Sequence, residues 1–188
     1  HSRCTIGGMI GNDACGNHSV RDGRTGAHII ELDLVLADGT RAIASERGIR
    51  AHDSRDRETI SRLEASLKSV VAGSLEMIRT ELGRIERQVS GYQLQHLLPE
   101  NHFNVVRALA GTEGTWAIIV GAKVRLSPLP TAPVLVALGY SDVVAAARDV
   151  PKILEHKPTA VEGMDEAIVA TMRAKRGEES VAGLPSGS

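Results

Sequence analysis

The chain has 188 residues, 42% of them apolar, and a formal charge of −1 from 22 basic and 23 acidic side chains. That is ample apolar material for one core and possible material for two small ones, and the balanced charge leaves no basic footprint for nucleic acid or a membrane surface. No apolar run approaches the length of a membrane span, and two cysteines eleven positions apart form neither a disulfide framework nor a zinc site, so a reducing, cytoplasmic setting is expected.

The stretch CTIGGMIGNDACGNHSVRDGRTG, residues 4–26, holds six of the 19 glycines and both cysteines. Glycine weakens helix and strand interiors, so such a run belongs where backbone passes close to something. Two readings stand side by side. The glycines serve tight turns in a β-rich domain, or their consecutive N–H groups wrap an anionic or flat cofactor. In the second case Thr5, Asn12 and Ser19 add side-chain hydrogen bonds. The run is neither a dinucleotide fingerprint nor a P-loop, since no strand precedes it and no Gly-Lys-Ser/Thr occurs. Cys4 and Cys15 read as small buried apolar residues.

HIIELDLVLADGTRAIA follows. Ile30, Leu32, Leu34 and Leu36 share one face, Glu31 and Asp33 the other, and Asp38-Gly39 turns the chain into a partner strand from Arg41 to Ala44. SERGIRAHDSRDRE is charged and aperiodic, a solvated loop. From about Glu58 to Leu82 the apolar residues Ile60, Leu63, Leu67, Val70, Val71, Leu75, Ile78 and Leu82 fall at three- and four-residue steps. The pattern predicts one amphipathic helix with Asp56 at its N-cap and Gly83 at its C-terminal stop, laid over the hairpin.

Two short helical pieces come next, then the glycine turn AGTEGT and a strand from Trp116 to Leu126. Glu113, held between glycines, suits a turn or a cofactor contact equally. Three prolines in SPLPTAP place a domain boundary at Ser127–Pro133. Beyond it the pattern predicts a strand at Val134–Leu138, a helix opened by Ser141 or Asp142, an extended piece at Thr159–Glu162, a helix from about Asp165, and a disordered end in GEESVAGLPSGS. The seven histidines lack ligand spacing, and no metal site is predicted. The chain starts at His1 with the glycine run almost immediate, and aromatics are only 2%; it reads as a segment of a longer polypeptide.

Taken in order, TIGGMIGNDACGNHSVRDGRTGAHIIELDLVLADG, RQVSGYQLQHLLPE, RALAGTEGTWAIIVGAKVRLSPLP and VALGYSDVVAAARDVPKILEHKPTAVEGMD resemble the vanillyl-alcohol oxidase superfamily, whose flavin domain is also called the PCMH-type FAD-binding domain. The subgroup it resembles is the FAD-linked D-lactate dehydrogenase and glycolate oxidase subunit type, in particular the large bacterial proteins with an iron–sulfur C-terminal region. The resemblance implies an α+β fold: residues 1–131 as the second, C-terminal part of the FAD-binding domain, and residues 132–188 as the start of a ferredoxin-like cap. It implies FAD as cofactor, approached by Cys4, Thr5, Ile6, Gly7, Gly8, Gly11, Asn12, Cys15, Gly16 and Ser19 at the flavin and diphosphate, and by Glu113, Gly114, Thr115, Ile118 and Ile119 along the adenosine. It further implies oxidation of a 2-hydroxy acid such as D-lactate, glycolate or D-2-hydroxyglutarate, with electrons passed to an iron–sulfur region or a quinone, and catalytic residues outside this segment. The setting is cytoplasmic, with peripheral association at the inner face of the membrane left open. An alcohol, a sugar lactone or an ether-lipid precursor is the alternative substrate, and a non-catalytic module that has lost its flavin is the alternative class. Three departures from the family pattern stand out. Asp13 occupies a position where asparagine is common; Ala117, Val120 and Gly121 replace the usual Gly, Thr and Glu; Trp116 replaces leucine.

Overall fold

The computed structural model describes residues 3–85, 88 and 91–185. In chain order it contains α1 (Ile6–Gly11), α2 (Ser19–Asp22), β1 (Ile29–Val35), β2 (Arg41–Ser45), β3 (Gly48–Ala51), α3 (Arg57–Gly73), α4 (Leu75–Glu81), α5 (Val105–Leu109), β4 (Ile118–Val124), α6 (Val143–Glu155) and α7 (Glu166–Arg176), with short 3-10 turns between them. The chain divides into two compact units, one of His1–Gly16 with Gly23–Leu126 and one of Asn17–Asp22 with Ser127–Ser188.

The first unit is α+β. Its sheet is antiparallel throughout, in the order β3-β2-β1-β4. The β1–β2 hairpin forms as predicted, with Gly39 alone in the left-handed region (φ +85) and the Asp38 carboxylate accepting the Thr40 N–H at 2.9 Å. Leu32 and Leu34 are buried, facing Ala44 and Ala42 across the hairpin. One predicted core position differs. Against β4 the register of β1 shifts between Ile29 and Glu31, so Ile29 enters the core at 2% exposure and Ile30 stays only half-buried. An irregularity of this kind flips the side-chain alternation on one side of it, which strict period-two counting does not anticipate.

The charged stretch read as a loop contains a strand. Gly48–Ala51 pairs with β2 through a tight turn over Glu46 and Arg47, and the Glu64 carboxylate of α3 accepts the Ile49 N–H at 2.7 Å. An edge strand of four residues needs little apolar content because ladder hydrogen bonds and one helix contact hold it. The predicted long helix is two helices. Ser74 (φ −123) interrupts it directly after Gly73, and of the apolar stripe only Ile60, Val71 and Ile78 are fully buried. Gly83 (φ +78) stops α4 as predicted. Asp56 sits at the N-cap position without a side-chain cap bond; the capping carboxylate at that corner is Asp53, which accepts the Arg55 N–H at 2.9 Å. The helical pieces after Gly91 are two 3-10 turns and α5. The Asn104 side chain caps α5 by accepting the Arg107 N–H, and Val105, Val106, Ala108 and Leu109 fill the core beneath β1 and β2.

In the second unit the helix starts match expectation. Asp142 accepts the Ala145 N–H and Asp165 the Ile168 N–H, both at 2.8 Å, so each helix opens on a short carboxylate. Two predicted extended pieces are not strands. Val134–Leu138 runs as irregular chain with Leu135 92% exposed, and Thr159–Glu162 likewise lacks a ladder partner among the described residues. A strand is a property of a pair, and β-propensity without a neighbouring edge does not make one. The predicted disordered end is partly ordered. Residues 178–181 form a 3-10 turn with Val181 buried, while residues 186–188 lie outside the described residues.

Candidate functional site

The glycine-rich run does not form an open loop from end to end. Residues 6–11 coil into α1, with the Thr5 hydroxyl accepting the Gly8 N–H at 3.1 Å as its N-cap. Ile10 is its one buried residue and anchors the helix to the core. The exposed flank of α1 therefore presents Gly7 and, at its end, Gly11.

A second segment arrives a hundred residues later. Thr112 is buried and donates to the Leu109 carbonyl; Glu113 (φ +52) and Gly114 (φ +77) then reverse the chain into β4. Two hydrogen bonds join it to α1. The Gly111 N–H donates to the Ile10 carbonyl at 3.0 Å, and the Glu113 N–H to the Gly11 carbonyl at 2.9 Å. Between the two segments lies an open depression of about 280 Å³ lined by Gly7, Gly11, Glu113, Gly114, Ala117, Ile118 and Ile119. Added Cβ atoms at Gly7, Gly11 or Gly114 would meet no protein atom within 4 Å. Their missing side chains do not accommodate protein packing; they leave room over the depression. A left-handed glutamate beside a left-handed glycine is a conformation that costs free energy and that concentrates at ligand sites.

Of the fifteen residues expected near the cofactor, the depression thus brings together Gly7, Gly11, Glu113, Gly114, Ile118 and Ile119. Thr5 and Gly8 belong to the helix cap. The Thr115 hydroxyl accepts from Tyr92 at 2.9 Å and donates to the Thr112 carbonyl at 2.6 Å, within the turn itself. Ile6, Asn12 and Gly16 are exposed, Cys15 is half-buried, and Cys4 is exposed where a buried position was expected. Ser19 opens α2, which groups with the second unit. Ala117 is a wall residue that glycine counting misses, although its small size at a close approach was the available signal. Trp116 packs on Tyr92 at 5.1 Å between ring centroids, which places the chain's one tryptophan next to Ala117.

A buried polar junction supports this arrangement. The Asp13 carboxylate accepts the Gly26 N–H at 2.7 Å and pairs with Arg24, and Arg24 also donates to the Gln88 carbonyl. His96 lies in the field of this junction. Burial, followed by the Arg107 and Arg24 guanidiniums, pushes its imidazole down from 6.5 to about 4. A histidine held neutral in the folded chain binds its proton first in the unfolded one, so the contribution is intact above pH 6.5 and is lost as pH falls toward 4. Thermal unfolding across that window is expected to show a falling Tm, and His96→Gln to flatten the fall; an unchanged slope in the variant would refute the assignment. Among the described residues no cluster of three or more His, Cys, Asp or Glu is arranged to hold a metal ion.

An antiparallel α+β unit that presents two glycine segments to one open depression is suited to a large, flat, phosphate-bearing cofactor. Comparison with known proteins agrees with that class. The FAD binding domain family matches residues 1–45, which include α1 and the hairpin. The chain is 30% identical over 171 residues to D-2-hydroxyglutarate dehydrogenase of Pseudomonas putida, covering 89% of this chain and 17% of that protein. It is 27% identical over 176 residues to D-2-hydroxyglutarate dehydrogenase of Escherichia coli, covering 92% of this chain and 17% of that protein. It is 28% identical over 165 residues to glycolate oxidase subunit GlcD of Bacillus subtilis, covering 86% of this chain and 25% of that protein. The family model and these relatives together make the chain similar to FAD-linked oxidoreductases of the PCMH-type superfamily. The chain spans about one sixth of the length of its D-2-hydroxyglutarate dehydrogenase relatives.

Proposed function

We propose that this chain is the second part of the flavin-binding domain, residues 1–131, and the beginning of a ferredoxin-like cap, residues 132–188, of an FAD-dependent dehydrogenase acting on a 2-hydroxy acid. The observation that carries the reading is the depression itself. Two glycine motifs about a hundred residues apart converge on it, and the spaces beside Gly7, Gly11 and Gly114 are open. These backbones fit a cofactor that needs close approach, and Ala117, Ile118 and Ile119 supply an apolar wall for a planar ring. The remaining residues carried over from the family as cofactor contacts, Cys4, Thr5, Ile6, Gly8, Asn12, Cys15, Gly16, Ser19 and Thr115, are not among the residues that line the depression. FAD, when bound, supplies the acceptor for the hydride leaving C2 of the substrate as the hydroxyl loses its proton and a 2-oxo acid forms. The chain's own contribution is to bind and orient. The acid–base groups facing the substrate and the onward acceptor, an iron–sulfur region or a quinone, lie elsewhere in the protein.

The similarity to D-2-hydroxyglutarate dehydrogenases ranks that substrate ahead of glycolate and D-lactate. Anaerobic mixing of the purified full-length protein with each of the three acids tests this. Bleaching of the visible flavin absorbance is expected fastest with D-2-hydroxyglutarate. A yellow protein that no 2-hydroxy acid bleaches would overturn the substrate class, and a colourless one the flavin assignment.

A further inference from the structure

Three backbone segments meet at one buried side chain. Asp13 is 4% exposed and left-handed (φ +48), two residues beyond the end of α1. Its Oδ1 accepts the Gly26 N–H at 2.7 Å, and its Oδ2 stands 3.3 Å from the Arg24 guanidinium. A Cβ on Gly26 would lie 3.0 Å from both Asp13 Oδ1 and Ala110 Cβ, and one on Gly111 would lie 3.4 Å from Asp13 Cβ. Segments 10–13, 24–26 and 110–113 therefore close on this carboxylate, and two of them carry lining residues of the depression, Gly11 and Glu113.

A buried ion pair is a poor way to add stability, because desolvation offsets most of the attraction and an apolar replacement is often as good. What it supplies is direction. Two oxygens held by a backbone N–H and a guanidinium allow one placement of the loop, where an apolar side chain would allow several. Both oxygens being engaged, the carboxylate acts through backbone position and not through contact with a ligand.

We propose that Asp13 is a positioning residue for the cofactor: by tying Arg24 and Gly26 to the end of α1, it sets the spacing between Gly11 and the Glu113–Gly114 turn across the depression. The proposal rests on the flavin reading given above. It also gives a use to the carboxylate at a position where asparagine is common, since the charge is met by Arg24.

Asp13→Asn tests it in the full-length protein, with FAD titrated into the apoprotein and followed by quenching of the flavin fluorescence and by visible circular dichroism of the bound flavin. The amide keeps the acceptor for Gly26 but leaves the part-buried Arg24 without its counter-charge. FAD affinity is expected to fall about tenfold or more with the far-ultraviolet spectrum unchanged, and the flavin dichroism to change shape. Arg24→Gln is expected to do the same, and supplies the same reading should Asp13→Asn fail to fold. The double variant, with neither charge buried, is expected to recover part of the affinity. Wild-type affinity and dichroism in Asp13→Asn, or single losses that merely add in the double variant, would overturn the proposal. Wild-type protein that takes up no FAD, or Gly7→Val protein with wild-type occupancy, would instead remove the flavin site. Flavin-loaded wild type, empty Gly7→Val and unaffected Asp13→Asn together would remove only the role of Asp13.

Discussion

Gly7→Val is expected to leave the full-length protein folded and empty of flavin. Gly7 lies in the first turn of α1, lines the depression, and has no protein atom within 4 Å of the position a Cβ would take. Valine is at least as favourable as glycine in a helix, so the fold tolerates it. The added branches occupy the space over the depression, and FAD affinity should fall about 100-fold or more, some 2.7 kcal/mol. Gly8→Val acts differently. Its Cβ would stand 3.0 Å from the Thr5 hydroxyl that caps α1, so it damages the cap and reaches a ligand only indirectly. Flavin per mole after purification measures the effect, and Gly73→Ala, made on an exposed stretch of α3, is the control that should keep wild-type content while gaining up to about 1 kcal/mol of stability. Wild-type flavin content in Gly7→Val would show that the depression is not the cofactor surface.

Ile29→Ala and Ile30→Ala should separate sharply despite being neighbours of identical chemistry. Ile29 is 2% exposed and belongs to the core with Leu32 and Leu34. Removing its three outer carbons forfeits their transfer free energy and leaves a cavity, a loss of about 2–5 kcal/mol. Ile30 is half-buried on the other side of the register shift, and the same truncation there should cost about 1 kcal/mol or less. Urea unfolding of the two variants measures the difference through the midpoint at constant m-value. Equal losses would mean that β1 keeps an unbroken alternation and that the shift opposite β4 does not govern burial.

That pair also marks how far one strand can be read from its residues. The alternation from Ile30 to Leu36 correctly implies a half-buried strand and its hairpin, because period and turn chemistry are local. Which isoleucine enters the core depends on β4, nearly ninety residues away. Gly48–Ala51 shows the same limit from the other side. Nothing in GIRA announces a strand, yet an available edge on β2 and the Glu64 carboxylate make it one. Val134–Leu138 has the composition of a strand and no partner among the described residues, and it stays irregular.

The candidate site divides along the same line. Both glycine motifs were legible as stretches of uncovered backbone, since absence of a side chain is written in the residue itself. Legible too were the hairpin, the C-terminal stop at Gly83, and the carboxylate caps of α6 and α7, each set by chemistry within a few residues. Only the tertiary structure decided that Gly7 and Gly11, not Gly8, face the depression, because the Gly8 N–H is taken by the Thr5 hydroxyl. It alone brought Glu113 to the Gly11 carbonyl, and Asp13 to Gly26 and Arg24. Helix phase, strand register and the partner of a buried charge are settled by contacts between segments far apart in the chain, and a single sequence carries no record of those distances.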